Sequence, residues 1–283
     1  MIRFGVAGAP DDFYDKGHKT ALEMPAYLKA IGLDAFEYQC GRGVRISRET
    51  ALKLGAEAKK NGITLTIHSP YYINIATDDL QKRTNSLNYI LQTLEAAENM
   101  GAERIVVHMG AASDNRAFAM ENSRKFIPYM MDSVREQGLE GIAICFETMG
   151  KINQLGSVEE TLEICKLDDS LLPCLDFGHI NARTHGALKI SEDFEQIFIM
   201  VENELGAERA KRFHCHFSKI MWTQGGESKH LTFEDTEYGP EFAPLAEVLK
   251  KRNAEPIIIS ESKGTQGIDA LAMKNIHERK CNV

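Results

Sequence analysis

The segment Leu172-Pro-Cys-Leu-Asp-Phe-Gly-His179 closes an apolar run with two side chains that bind metals, Asp176 and His179, separated only by Phe177 and Gly178. Residues 171–175 read as a short buried strand, and Gly178 permits a sharp exit, so the carboxylate and imidazole project where the strand opens into a loop. Taken alone, the pair is as well explained by a helix cap and a histidine bonded to a carbonyl. But the pattern recurs along the chain. Other apolar runs finish in Thr66-Ile-His68, Val106-Val-His108, Cys145-Phe-Glu147 and Ile259-Ser-Glu261, a further one is Phe213-His-Cys-His-Phe217, and His230 lies in the loop after it.

Acids and imidazoles gathered in one place repel and desolvate one another unless cations sit among them. The mix of imidazole and carboxylate suits zinc, with manganese as the other candidate, and no run ends in a cysteine that would demand a thiophilic metal. His68, His108, Glu147, Asp176, His179, His214, His230 and Glu261 make eight candidate ligands. At about four per zinc they suffice for two ions with a bridging carboxylate, and paired ions point to hydrolysis of phosphate esters or amides. His216, two residues beyond His214 on the same strand face, reads as a further ligand or as a group that orients one.

These residues meet only if the fold gathers the strand ends. Eight β-like runs occupy 2–7, 35–38, 64–68, 104–108, 142–147, 172–176, 213–217 and 256–260. Helix-period segments fill every gap, the alternation of parallel strands joined by crossover helices. The reading is a (β/α)8 TIM barrel formed by one domain over residues 1–283, a fold whose strand C-termini converge on one face. A doubly wound sheet fits less well, because eight regular units carry no dinucleotide fingerprint. Ser47 and the box Ser157-Val-Glu-Glu160 mark helix starts, while Gly32, Gly62, Gly101 and Gly138 mark helix ends. Two loops, 8–19 and 218–240, are longer than connection requires, and the second carries the only tryptophan, Trp222.

With 283 residues, 43% hydrophobic and 26% charged, the chain can bury a full core. Its apolar runs are far too short to cross a bilayer, and its N-terminus reads as a strand and not as a signal peptide, so the expected location is the cytoplasm with no membrane partner. Six cysteines without paired spacing predict no disulfides. The net charge of -8 means that a nucleic-acid partner would be met by a local basic surface or by cations, not by the overall field.

The order of these strand ends resembles the endonuclease IV family, zinc-dependent (β/α)8 hydrolases of DNA repair that act at apurinic/apyrimidinic sites. The resemblance covers essentially the whole chain and implies a cytoplasmic endonuclease bound to damaged double-stranded DNA. It implies one zinc held by His68, His108 and Glu147, a second held by Glu147, Asp176, His214 and Glu261, and a third served by His179 and His230. Ser228-Lys229-His230 stands where the family has Asp-x-His, which leaves two or three ions open; Glu227 and Asp235 are the candidate substitutes. The resemblance also implies DNA contacts from the loops after the second and third strands, here Arg42, Arg45, Tyr71 and Tyr72. Glu147 and Glu261 take the catalytic places, the first bridging two ions and the second orienting the attacking hydroxide. Cleavage 5′ to the abasic sugar would leave a 3′-hydroxyl and a 5′-deoxyribose phosphate.

Two other readings stand beside it. Xylose-isomerase-like sugar isomerases and epimerases hold one divalent metal with Glu, Asp, His and Glu, which Glu147, Asp176, His214 and Glu261 also match, and their partner is a small sugar. What separates the two is the pair His68 and His108, which a mononuclear isomerase does not need. The third reading is a barrel that binds metal without catalysis. Lys219 and Lys229 read as solvated surface lysines.

Overall fold

The computed structural model describes residues 1–112 and 115–279. Strands β1 (Arg3–Ala7), β2 (Ala35–Gln39), β3 (Thr64–His68), β4 (Arg104–Val107), β5 (Ala143–Glu147), β6 (Leu172–Asp176) and β7 (His214–Phe217) come first in the chain. A small hairpin, β8 (Ile220–Thr223) and β9 (Gly226–His230), follows, and β10 (Ile257–Ser260) is last. The order β1-β10-β7-β6-β5-β4-β3-β2 closes into a barrel of parallel strands, and helices fill the connections. This is the (β/α)8 barrel that the alternation predicted.

The strands form because each carries two different faces. In β7 the outward residues Cys215 and Phe217 are apolar, with Phe217 edge-on to Phe242 at 5.0 Å, while His214 and His216 turn into the barrel. Phe177, Phe194, Phe198 and Phe213 pack together in the layer between sheet and helices. Small side chains let the strands approach: a Cβ on Gly5 would lie 2.2 Å from the carbonyl oxygen of Ala35. Inside the barrel, apolar patches at Ala35, Ile257 and Ile259 and at Val106, Cys145 and Cys174 leave room between them for polar groups.

Helix starts follow the capping chemistry written in the sequence. The Ser47 side chain accepts from the Thr50 amide, and Ser157 and Glu160 form a reciprocal capping box. Asp79 caps the helix Leu80–Met100 by accepting from the amides of Gln81 and Lys82, with Thr77 in turn accepting from the Asp79 amide. Among the described residues five cysteines are free and buried, while Cys281 lies outside them. No described helix is long and apolar enough to cross a membrane.

Two local features differ from the sequence reading. The segment 218–240 holds the β8–β9 hairpin, because Gly225 and Gly226 close a tight antiparallel pair within it. And no loop follows β6: the helix Phe177–Arg183 begins at once, with Asp176 as its cap.

Candidate metal centre

The register of β6 and β7 decides which histidine reaches the C-terminal face of the barrel. Asp176 pairs with His216, whereas His214 pairs with Cys174, two residues nearer the N-terminal end of the barrel. Both imidazoles point inward and are fully buried, but they lie in successive layers. His216 therefore joins Glu147, Asp176 and Glu261, all with ligand atoms within 4.8 Å of one another. This corrects the expectation for His214. That ring sits lower and donates from Nε2 to Glu37 Oε2 at 2.9 Å. The sequence places both histidines on the inward face of the strand, and the register with β6 assigns each to its layer.

A second group forms from His68, His108 and Glu147. Glu147 Oε2 lies 3.2 Å from His68 Nε2 and 2.8 Å from His108 Nε2, while Oε1 lies 3.0 Å from His216 Nδ1. One carboxylate thus faces both groups, the geometry of a bridge. A third group is His179, His230 and Glu261. Glu227, at the start of β9, adds a carboxylate there, 3.3 Å from His179 Nε2 and 3.8 Å from His230 Nε2. Asp235, the other candidate, is occupied elsewhere: its side chain accepts from the amides of Glu237 and Tyr238.

Asp176 does two things at once. Its Oδ1 accepts from the His179 amide at 2.8 Å and starts the helix, while its Oδ2 is buried without a hydrogen-bond partner, with His179 Nδ1 3.1 Å away. A buried carboxylate oxygen left so, beside three other ligand side chains, fits a cation. Gly178 works differently from the expected sharp exit. Lacking a Cβ, it lets the Ser218 carbonyl come close, where a methyl would be 2.5 Å from that oxygen.

The histidines are oriented by their outer nitrogens. His68 Nδ1 bonds the Ser69 carbonyl at 2.8 Å, His179 Nδ1 the Thr148 carbonyl at 3.0 Å, and His230 Nδ1 the Ser218 hydroxyl at 2.9 Å. Each bond turns Nε2 toward the centre, the arrangement that fixes a ligating tautomer.

Electrostatics follow from burial and crowding. Burial raises the pKa of Glu147, but the nearby His108 and His216 outweigh it and hold the carboxyl well below the usual range. Glu261 goes the other way, raised by burial and by the charges of Glu147 and Asp176 against the lowering effect of His216. Burial lowers His68, yet Glu147 overcomes it and pushes the imidazole up to about 9. His214 is left neutral, lowered to about 4 by its burial. The field of this face favours positive charge, which is what a divalent cation supplies.

Sequence reasoning missed Glu37. It is fully buried on β2 and accepts from His214, His216, Gln39 and Thr66. The alternation Ala35-Phe-Glu37-Tyr-Gln39 was the signal that an acid faces the barrel interior.

The remaining candidates lie at the rim. Tyr71 and Tyr72 are 53% and 55% exposed in the turn after β3, their ring centroids 5.6 Å apart. Arg42 and Arg45 are exposed in the neighbouring loop, which Tyr71 joins through its amide to the Gly41 carbonyl. Lys229 is exposed, but Lys219, expected at the surface, is buried. Its ammonium is held 2.7 Å from the Asp235 carbonyl and 2.5 Å from Glu241 Oε1, so it pins the loop after β9.

The structure is a closed parallel barrel that gathers imidazoles and carboxylates, a set with the chemistry to hold divalent cations, at its C-terminal face. The chain belongs to the xylose isomerase-like TIM barrel family, whose model matches residues 25–278. It is 30% identical over 279 residues to the uncharacterized protein MJ0133 of Methanocaldococcus jannaschii, covering 98% of each chain. It is 29% identical over 218 residues to a probable endonuclease 4 of Oceanobacillus iheyensis, covering 72% of this chain and 70% of the other. Its fold is like that of endonuclease IV from Thermus thermophilus (TM-score 0.70, 18% identity, 98% of each chain). It is equally like that of a D-tagatose 3-epimerase-like protein (TM-score 0.70, 20% identity, 97% of this chain and 95% of the other).

Proposed function

We propose that this protein is a zinc-dependent hydrolase of DNA that cleaves the phosphodiester 5′ to an abasic site. The observation that carries the reading is the group His68, His108 and Glu147 beside Glu147, Asp176, His216 and Glu261, with one carboxylate shared. A one-metal sugar enzyme uses only the second group and has no work for the first. The relatives named probable endonuclease 4 support the same choice.

In this reading His68, His108 and Glu147 would hold one zinc, and Glu147, Asp176, His216 and Glu261 would hold a second. His179, His230 and Glu227 would hold a third, with Glu227 in place of the carboxylate that Ser228 lacks. The cations, when bound, offset the charge that builds on phosphate oxygens during an in-line displacement. Glu261, at the open side of the centre, orients the attacking water. Tyr71 and Tyr72 offer exposed ring faces to bases around the lesion, and Arg42 and Arg45 offer charge to the backbone. Water adds to phosphorus, the bond to the 3′-oxygen of the preceding nucleotide breaks, and the products are a 3′-hydroxyl and a 5′-deoxyribose phosphate.

A sugar epimerase is the second reading, favoured by the completeness of the four-residue set Glu147, Asp176, His216 and Glu261. Elemental analysis together with cleavage of an oligonucleotide bearing one abasic site separates them. Two or three zinc ions per chain and a nicked abasic strand are expected. One ion per chain, with no nicking and turnover of a ketose, would replace the hydrolase reading with the epimerase.

A further inference from the structure

His216 is the exception among the histidines of the centre. His68, His179 and His230 turn Nε2 inward and anchor Nδ1. His216 is reversed, with Nδ1 at 3.0 Å from Glu147 Oε1 and Nε2 at 3.0 Å from Glu37 Oε1. The reversal has a structural cause. His216 lies within a barrel strand, where carbonyls are consumed by the ladder, so the acceptor for its outer N–H must be a side chain from elsewhere in the barrel. Glu37 supplies it, reaching across from β2, which is separated from β7 by β1 and β10.

Glu37 is committed to this task. It is fully buried and forms no ion pair with lysine or arginine among the described residues. Oε2 takes the His214 Nε2–H at 2.9 Å and the Thr66 hydroxyl at 3.0 Å, and Oε1 takes the Gln39 amide at 3.1 Å besides His216. Donors therefore surround both oxygens. His214, with its Nδ1 buried and unpartnered, is one of those donors and holds Glu37 in place.

We propose that Glu37 is a positioning residue that fixes the Nε2–H tautomer of His216 and so presents its Nδ1 lone pair to the cation position shared with Glu147, Asp176 and Glu261. This rests on the metal reading of the site given above. The pairing is a carboxylate–histidine–metal relay built across the barrel. It also explains why β7 carries two histidines: His216 faces the cation and His214 serves the acid behind it.

The test uses the full chain, stripped with a chelator and titrated with Zn2+ against a competing chromophoric chelator, for wild type and Glu37→Gln. An amide keeps the size but offers one acceptor and an NH2 to surrounding donors, so the relay breaks. Affinity for one ion is expected to fall by about 10- to 100-fold, the cost of losing such an outer partner, while the other ions bind as before. Nitrogen-15 NMR of the zinc-loaded wild type is expected to show His216 with its proton on Nε2. Unchanged zinc affinity in a folded Glu37→Gln variant would overturn the proposal. If that variant does not fold, the wild-type spectrum decides, and a proton on Nδ1 of His216 overturns it. A wild type that holds no zinc removes this proposal and the hydrolase reading together; normal zinc binding without cleavage of abasic DNA removes only the reaction.

Discussion

Glu227 Oε2 lies 3.3 Å from His179 Nε2, joining a hairpin strand to the helix that starts at the end of β6. The carboxylate comes one residue earlier in the chain than Ser228, and the hairpin turn brings it to the same imidazole. Glu227→Gln is therefore expected to lower zinc content by one ion per chain, while Ser228→Ala leaves it unchanged. Elemental analysis after exhaustive dialysis checks both, and equal zinc in Glu227→Gln would remove Glu227 from the ligands.

Glu261→Gln keeps the size of the side chain and removes its charge. Turnover of abasic DNA is expected to fall by at least about a hundredfold, in the range seen for loss of one group that stabilises the transition state. The circular dichroism spectrum is expected to stay the same. Full activity would exclude Glu261 from the reaction.

Tyr71 and Tyr72 stand clear of the core, so their removal is expected to spare both fold and zinc content. Stacking on an aromatic ring is worth about 1–3 kcal/mol per base. Replacing both with alanine should raise KM for abasic DNA by about tenfold or more, measured by steady-state cleavage. A small sugar substrate would respond differently from an oligonucleotide.

Gly178→Ala inserts a methyl 2.5 Å from the Ser218 carbonyl and 3.1 Å from Asp176 Oδ1. Crowding of this kind costs about 1–3 kcal/mol, so a lower melting temperature is expected. Zinc content should fall with it, because Asp176 is one of the atoms displaced.

Glu160 sets an acid limit on stability. Burial raises its pKa, but hydrogen bonds from Arg116 and from the amides of Ser157 and Gly156 outweigh this and lower it. A lowered folded value means stabilisation that is present above the unfolded pKa, near 4.5, and lost as pH falls toward the folded one. Glu160→Gln is expected to cost about 2 kcal/mol at pH 7, the scale of a hydrogen-bonded charge, and progressively less below pH ~4.5. Chemical denaturation at several pH values measures the difference.

The barrel was legible in the sequence because strand and helix periods alternate without interruption, and the predicted runs match the observed strands to within a residue or two at most ends. What could not be read from strand ends alone was the layer to which an inward residue belongs. His214 and His216 share a face, and only the pairing of Asp176 with His216 tells them apart. Glu37 escaped notice because it stands within its strand and not at the end. Lys219 looked solvated because its two acceptors, Asp235 and Glu241, are 16 and 22 residues away in the chain. In each case the deciding contact crosses the barrel or a long loop, where local periodicity carries no information.

The β8–β9 hairpin has a consequence for how such a centre changes over evolutionary time. It carries Glu227 and His230 and leans on the loop after β5, where Gly226 packs against the Gly150 carbonyl. The barrel itself contributes the deeper ligands, whose replacement disturbs strands and core together. A hairpin can be rewritten with far less damage. Under the proposed metal reading, the number of ions would then be set partly by an appendage, and the outermost one could be gained or shed while the scaffold beneath stays the same.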